Sequence, residues 1–339
     1  MPWFSSRSTL VLGLVLTLGL GLLMRWSLAG FYELPLPFPH LRHAHSHLGY
    51  FALLFPLAWV GWKRAGVPVP GKRILIAYGM ATAVAVLGFV RGGYGPTAIV
   101  GCAAVAALWL WTALPLVARM RQLRDPLGAV PLGLVAGLGC VPPIAVHLRT
   151  QPALAQAFVA AFLAALLFLV IVPSSLAALH RAIVPWPLLL TVGGLAAAAL
   201  GFGQVRLLSL ALVAEACLLV ASVTTVSLPL HVRGPWWLTS IGLVLLGVGL
   251  LPNVRPVALG AIHFLILSPV AVSLAGPVVS VGARAWWVNH SVALVMATAL
   301  VSQAFGAGGW TWTVSASAGT GTLIWWSVAL AQCSSGEAG

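Results

Sequence analysis

Imidazole chemistry is the first question this sequence raises. Of its nine histidines, four fall in the run Pro39-His40-Leu41-Arg42-His43-Ala44-His45-Ser46-His47-Leu48-Gly49-Tyr50. If the run is helical, His40, His43 and His47 share one stripe at i, i+3 and i+7, and His45 points to the opposite face, because two residues turn a helix by about 200°. The run therefore cannot offer all four rings to one metal. Two chemistries are open to it. His43 and His47, at i and i+4, can chelate Zn or Cu, or one inward imidazole of the run can serve as axial ligand to a haem iron. The plain alternative is a group of interfacial side chains reaching for water. Elsewhere, His263 interrupts the apolar stretch Gly260-Ala261-Ile262-His263-Phe264-Leu265, and His147 ends another such stretch. The candidate metal ligands are thus His43, His45, His47, His147 and His263.

Carboxylates are scarcer, with only 4 Asp+Glu in the chain. Glu215 stands within Leu212-Val213-Ala214-Glu215-Ala216-Cys217. An acid in such a run is by default a proton relay or an ion site. The alternative is a neutral acid bonded to a neighbouring helix. Glu33 lies close to the histidine run and could orient an imidazole. Cys102, Cys140, Cys217 and Cys333 form no CxxC pair, and they read as small apolar residues.

The elements that must position these groups are set by composition. The chain is 61% hydrophobic and 6% charged, with a mean hydropathy of +1.06. Soluble domains carry about a quarter charged residues, so an ordinary globular enzyme and a disordered chain are excluded. The expected fold is an all-α, polytopic integral membrane bundle, a single transmembrane domain over residues 1–339 with the lipid bilayer as its main partner. A span needs around 20 apolar residues. That rule gives about twelve transmembrane helices: 9–29, 45–62, 74–90, 97–118, 128–146, 152–173, 186–204, 207–229, 236–252, 256–275, 286–305 and 309–332. The first is read as a retained helix, because no small-residue cleavage site comes after it. No fixed-period repeat is visible.

The net charge of +13 comes from residues scattered between apolar runs, which is the pattern of orientation signals and not of nucleic-acid binding. With the N-terminus cytoplasmic, Lys63, Arg64, Lys72, Arg73, Arg119, Arg121 and Arg124 share its side, so both termini are expected in the cytoplasm and the protein in the cell inner membrane. Most of the histidines then fall on the outer side or in the outer half. His263 lies about seven residues into its helix, roughly 10 Å deep. Arg42, Arg91, Arg149 and Arg255 lie on the same outer side, where haem propionates would need cations. No nucleotide-binding glycine motif is present.

The sequence resembles subunit I of the haem–copper oxidase superfamily. The resemblance rests on twelve spans with cytoplasmic termini, the Arg42-His43-Ala44-His45-Ser46-His47-Leu48-Gly49 run opening helix two, and a lone histidine in the outer half of helix ten. The His43-Ala44-His45 segment is also similar to a signature of twelve-span membrane haem proteins linked to nitric-oxide defence. The resemblance implies one b-type haem (haem b), with His45 or His47 and His263 as axial ligands and Arg42 and Arg255 beside the cofactor. It departs from the family where the oxygen chemistry sits. Helix ten has one histidine in place of a His-x-His pair, and helices six and seven have none for copper. Proton-pumping oxygen reduction is therefore not expected. The resemblance implies electron transfer or gas and redox sensing, with a redox partner protein or a quinone. The alternatives are a proton- or ion-coupled transporter using Glu215, and a metal-handling assembly factor using the His40/His43/His47 stripe.

Overall fold

The computed structural model describes residues 7–179, 184–224, 227–276, 279 and 281–335, so His180 and Glu337 lie outside the described residues. The described residues form helices and no strand. An apolar chain in lipid has no water for its peptide groups, and the helix satisfies them within each segment. The helical segments are α1 (Arg7–Leu28), α2 (38–64), α3 (Lys72–Gly92), α4 (Pro96–Arg121), α5 (Pro126–His147), α6 (Pro152–Ala178), α7 (Trp186–Gly201), α8 (Val205–Thr224), α9 (Leu230–Gly247), α10 (Arg255–Ala275), α11 (Ala283–Phe305) and α12 (Trp310–Ser335). By length and composition, seven of them can cross a membrane: α3, α4, α5, α6, α8, α10 and α11. Leu12–Leu28 and Trp186–Gly201 are shorter apolar helices. The residues that dilute the others are visible in the sequence. α2 carries its histidines together with Arg42, Lys63 and Arg64, α9 carries His231 and Arg233, and α12 is rich in Ser, Thr and Gly.

Helix α2 begins earlier than residue 45. It starts at Phe38 with Pro39 in its first turn, where a missing N–H costs no hydrogen bond and the fixed φ suits a helix. The whole histidine run is therefore helical.

The chain divides into two compact units. The first comprises Met1–Leu57, Pro70–Leu108 and Val254–Gly339, and the second comprises Ala58–Val69 and Trp109–Asn253. Within the first, α1 packs against α2 and α12, α2 against α3, and α11 against α10 and α12. Within the second, α6 packs on α5 and α7, and α8 packs on α7 and α9. A cluster of Ala164, Ala165, Phe168, Leu169, Ala196, Ala197 and Ala211 fills part of its core.

Three helices contain a π turn: α2 at Gly49–Leu54, α6 at Leu167–Ile171 and α10 at Ile266–Val270. The i→i−5 bonds are explicit, from Phe55 N–H to the Tyr50 carbonyl, from Val172 to Leu167 and from Ala271 to Ile266. Such turns insert a residue into the ladder and are frequent at functional sites. In α2 and α6 a proline comes after the turn at the same distance, Pro56 and Pro173. Lacking an N–H, it leaves the carbonyl four residues back without its helical donor. A glycine of the preceding helix comes onto that carbonyl in both cases. A β-carbon on Gly13 of α1 would overlap the Ala52 carbonyl, and one on Gly133 of α5 would come within 2.6 Å of the Leu169 oxygen. The same backbone device thus occurs twice, once in each unit.

Candidate functional site

The α2 run divides as its helical spacing predicts. His43 and His47 face α3. The His47 ring lies over Phe89 with centroids 4.2 Å apart, and His43 meets Tyr94 edge-on at 4.6 Å. His40 packs on Gly93, whose β-carbon would sit 3.1 Å from that ring. His45 turns to α1, where its Nδ1 donates to the Thr17 carbonyl at 3.0 Å. Gly21 gives it room, since a β-carbon there would stand 2.7 Å from the ring's Cε1.

His263 of α10 shares this interior. Its Nδ1 donates to the Leu259 carbonyl, one turn back, at 2.7 Å. His45 and the Arg25 guanidinium both lie within electrostatic reach of the His263 ring, and Arg25 also reaches His45. His47 donates in the same manner to the His43 carbonyl at 2.9 Å. A carbonyl can only accept, so in all three rings Nδ1 carries the proton and Nε2 holds a lone pair. That is the tautomer a metal ligand needs, already fixed by its backbone bond. No Nε2 of the three makes a hydrogen bond among the described residues. Each ring is only partly buried.

The charged groups around the site are cations. Arg25 is 8% exposed, and its guanidinium has neither an ion pair nor a hydrogen bond among the described residues. A guanidinium so placed carries an uncompensated desolvation cost. By its place in the sequence, Arg25 is only one more outer-side cation. The signal for more was an Arg four residues from Gly21 in an apolar helix of a chain almost without acids. Arg42, on α2, lies within electrostatic reach of Arg255 at the start of α10 and of Tyr94. Neither arginine has a carboxylate partner among the described residues, where the ion pair present joins Arg119 and Asp125 at 3.2 Å.

The remaining candidates stand elsewhere. His147 ends α5 in the second unit, stacked on Phe158 at 6.4 Å and 6° between planes, with its buried Nδ1 unpartnered. Glu215 on α8 is 1% exposed, and neither carboxyl oxygen has a hydrogen-bond partner. An ionised carboxylate in that setting is prohibitively costly. Among the described residues no three His, Cys, Asp or Glu side chains converge as a closed metal centre requires, so a His43/His47 chelate, one of the two chemistries open to the run, finds no third ligand there.

Comparison with protein-family models, with curated proteins and with solved structures gives no match.

Proposed function

We propose that the first unit holds one b-type haem between Nε2 of His45 and Nε2 of His263, and that the protein serves one-electron transfer or redox and gas sensing in a membrane. One observation carries this reading. Two imidazoles from different helices lie within electrostatic reach of each other, each with Nδ1 tied to a carbonyl and Nε2 left open. His45 fits the role better than His47, which faces the Phe89 and Tyr94 rings.

The donor set suits the group. Neutral imidazoles are the ligands of a low-spin haem iron, and a bundle of apolar helices accommodates a porphyrin plate. The arginines suit its ionised edge: Arg42 and Arg255 would receive propionates, and Arg25 would supply a cation near the two imidazoles. A bound haem would contribute a one-electron iron centre. The chain contributes the tautomer, the orientation of both rings, the exclusion of water and the counter-charge. On this reading all twelve helices are spans, both termini are cytoplasmic, the membrane is the cell inner membrane, and the electron partner is a quinone or a redox protein. α6 and α7 offer no histidine for copper, so the reading includes no oxygen reduction.

A second reading, proton- or ion-coupled transport through Glu215, draws on that buried acid. Its two oxygens have no accessible surface, which suits a neutral structural acid better than a group an ion must reach. The test is the optical spectrum of the detergent-purified protein, oxidised and dithionite-reduced. The expected result is a Soret band and a sharpened α band on reduction. A colourless protein that takes up no added haemin would overturn the proposal and leave transport as the better reading.

A further inference from the structure

Each interior imidazole sits about one turn before a π turn: His45 before Gly49–Leu54 and His263 before Ile266–Val270. A π turn holds one residue more than an α turn. Converting it to regular α-helix would rotate the helical segment before it, relative to the segment after it, by about 100°, the angle per residue of a 3.6-residue turn. The segments after the turns are firmly packed, with Phe55 and Leu57 in α2 and Ala271, Val272 and Leu274 in α10 all buried. The π turn therefore decides where the ring before it points.

Both turns are held from the next helix in the chain. In α2, the carbonyl of Phe51, inside the π turn, receives the Tyr78 hydroxyl of α3 at 2.7 Å. In α10, the Leu267 carbonyl receives the Asn289 Nδ2 of α11 at 2.7 Å, and the Ser268 hydroxyl beside it is bonded to His290 Nδ1 at 2.8 Å. Asn289 is fully buried, and a buried backbone carbonyl needs such a donor. In α6, which has no histidine, the Ser174 hydroxyl donates to the Val170 carbonyl at 2.6 Å and accepts from Trp62 Nε1 at 2.8 Å.

We propose that Tyr78 and Asn289 are positioning residues, which hold the π turns of α2 and α10 and thereby aim His45 and His263 at their shared interior. As a statement about haem ligands this rests on the function proposed above. As a statement about the helices it does not.

The test uses the full-length protein with Tyr78→Phe, which removes only a hydroxyl, and Asn289→Leu, which keeps the side chain's size. Haem-loaded protein is read by the g values of its low-spin paramagnetic signal and by the rate of haem transfer to apomyoglobin. The expected result is shifted g values and about tenfold faster haem loss in each variant, the size of one buried hydrogen bond, with the unfolding temperature of Tyr78→Phe within a few degrees of the parent. Variants that match the parent in both g values and haem-loss rate overturn the proposal. If the parent binds no haem, the haem reading fails on its own. Amide exchange in the haem-free protein then decides. Exchange about tenfold faster at residues 51–57 in Tyr78→Phe and 267–272 in Asn289→Leu supports the positioning role, and unchanged exchange overturns it.

Discussion

The α1–α2 pair of the first unit and the α5–α6 pair of the second use the same backbone device. Each has a π turn, a proline just after it, and a glycine of the preceding helix set on the carbonyl the proline leaves free. They differ in the residues that stand before the turn. Where α2 has His43, His45 and His47, α6 has Ala160, Phe162 and Ala164 at the matching distances before its proline. The first unit's interior accordingly holds the buried Arg25 guanidinium and open imidazole nitrogens, whereas around α6 the second packs Ala, Leu and Phe. The scaffold is thus common to both pairs, and the chemistry belongs to a few side chains placed one turn upstream of it.

The largest effect expected from breaking this contrast is His45→Phe, which gives α2 the residue α6 carries there. Haem should be lost from the purified protein, and His263→Ala should do the same, whereas His47→Ala should retain it; haem content by pyridine haemochrome reads all three. A next, smaller effect tests the shared device itself. Gly13→Leu and Gly133→Leu each force a side chain onto a backbone carbonyl and should destabilise by about 1–3 kcal/mol, the usual cost of overpacking. Thermal unfolding in detergent should show comparable losses. A loss at only one site would break the equivalence of the two helix pairs.

Much of the architecture was legible because the bilayer demands it. Apolar runs of sufficient length mark α3, α4, α5, α6, α8, α10 and α11, and helical spacing alone separates His45 from the His40/His43/His47 stripe. The π turns were not legible. Hydropathy does not register a one-residue change in hydrogen-bond pattern, and Pro56 and Pro173 look like any helical proline. For the same reason the recurrence in α5–α6 left no visible repeat, since the two pairs share backbone geometry and not side chains. Arg25, Tyr78 and Asn289 matter through contacts between helices distant in the sequence, which no local pattern reports.

Two smaller effects sharpen the contrast. Arg42→Gln removes one of two neighbouring cations on the first unit's side and should raise the haem dissociation rate about tenfold, the range of a charge-assisted hydrogen bond. Glu215→Gln keeps the shape of a neutral acid in the second unit and should shift stability by less than ~1 kcal/mol, with haem content unchanged. A stability loss several times larger would mean that the carboxyl is ionised and partnered after all.

The account's central claim is that imidazoles of α2 and α10 close on one iron. Low-temperature paramagnetic resonance of the oxidised, detergent-purified protein tests it most directly. The account predicts a single low-spin ferric signal of bis-imidazole type that disappears in both His45→Phe and His263→Ala. A high-spin signal from five-coordinate iron, a low-spin signal that survives either substitution, or no haem signal at all would contradict it.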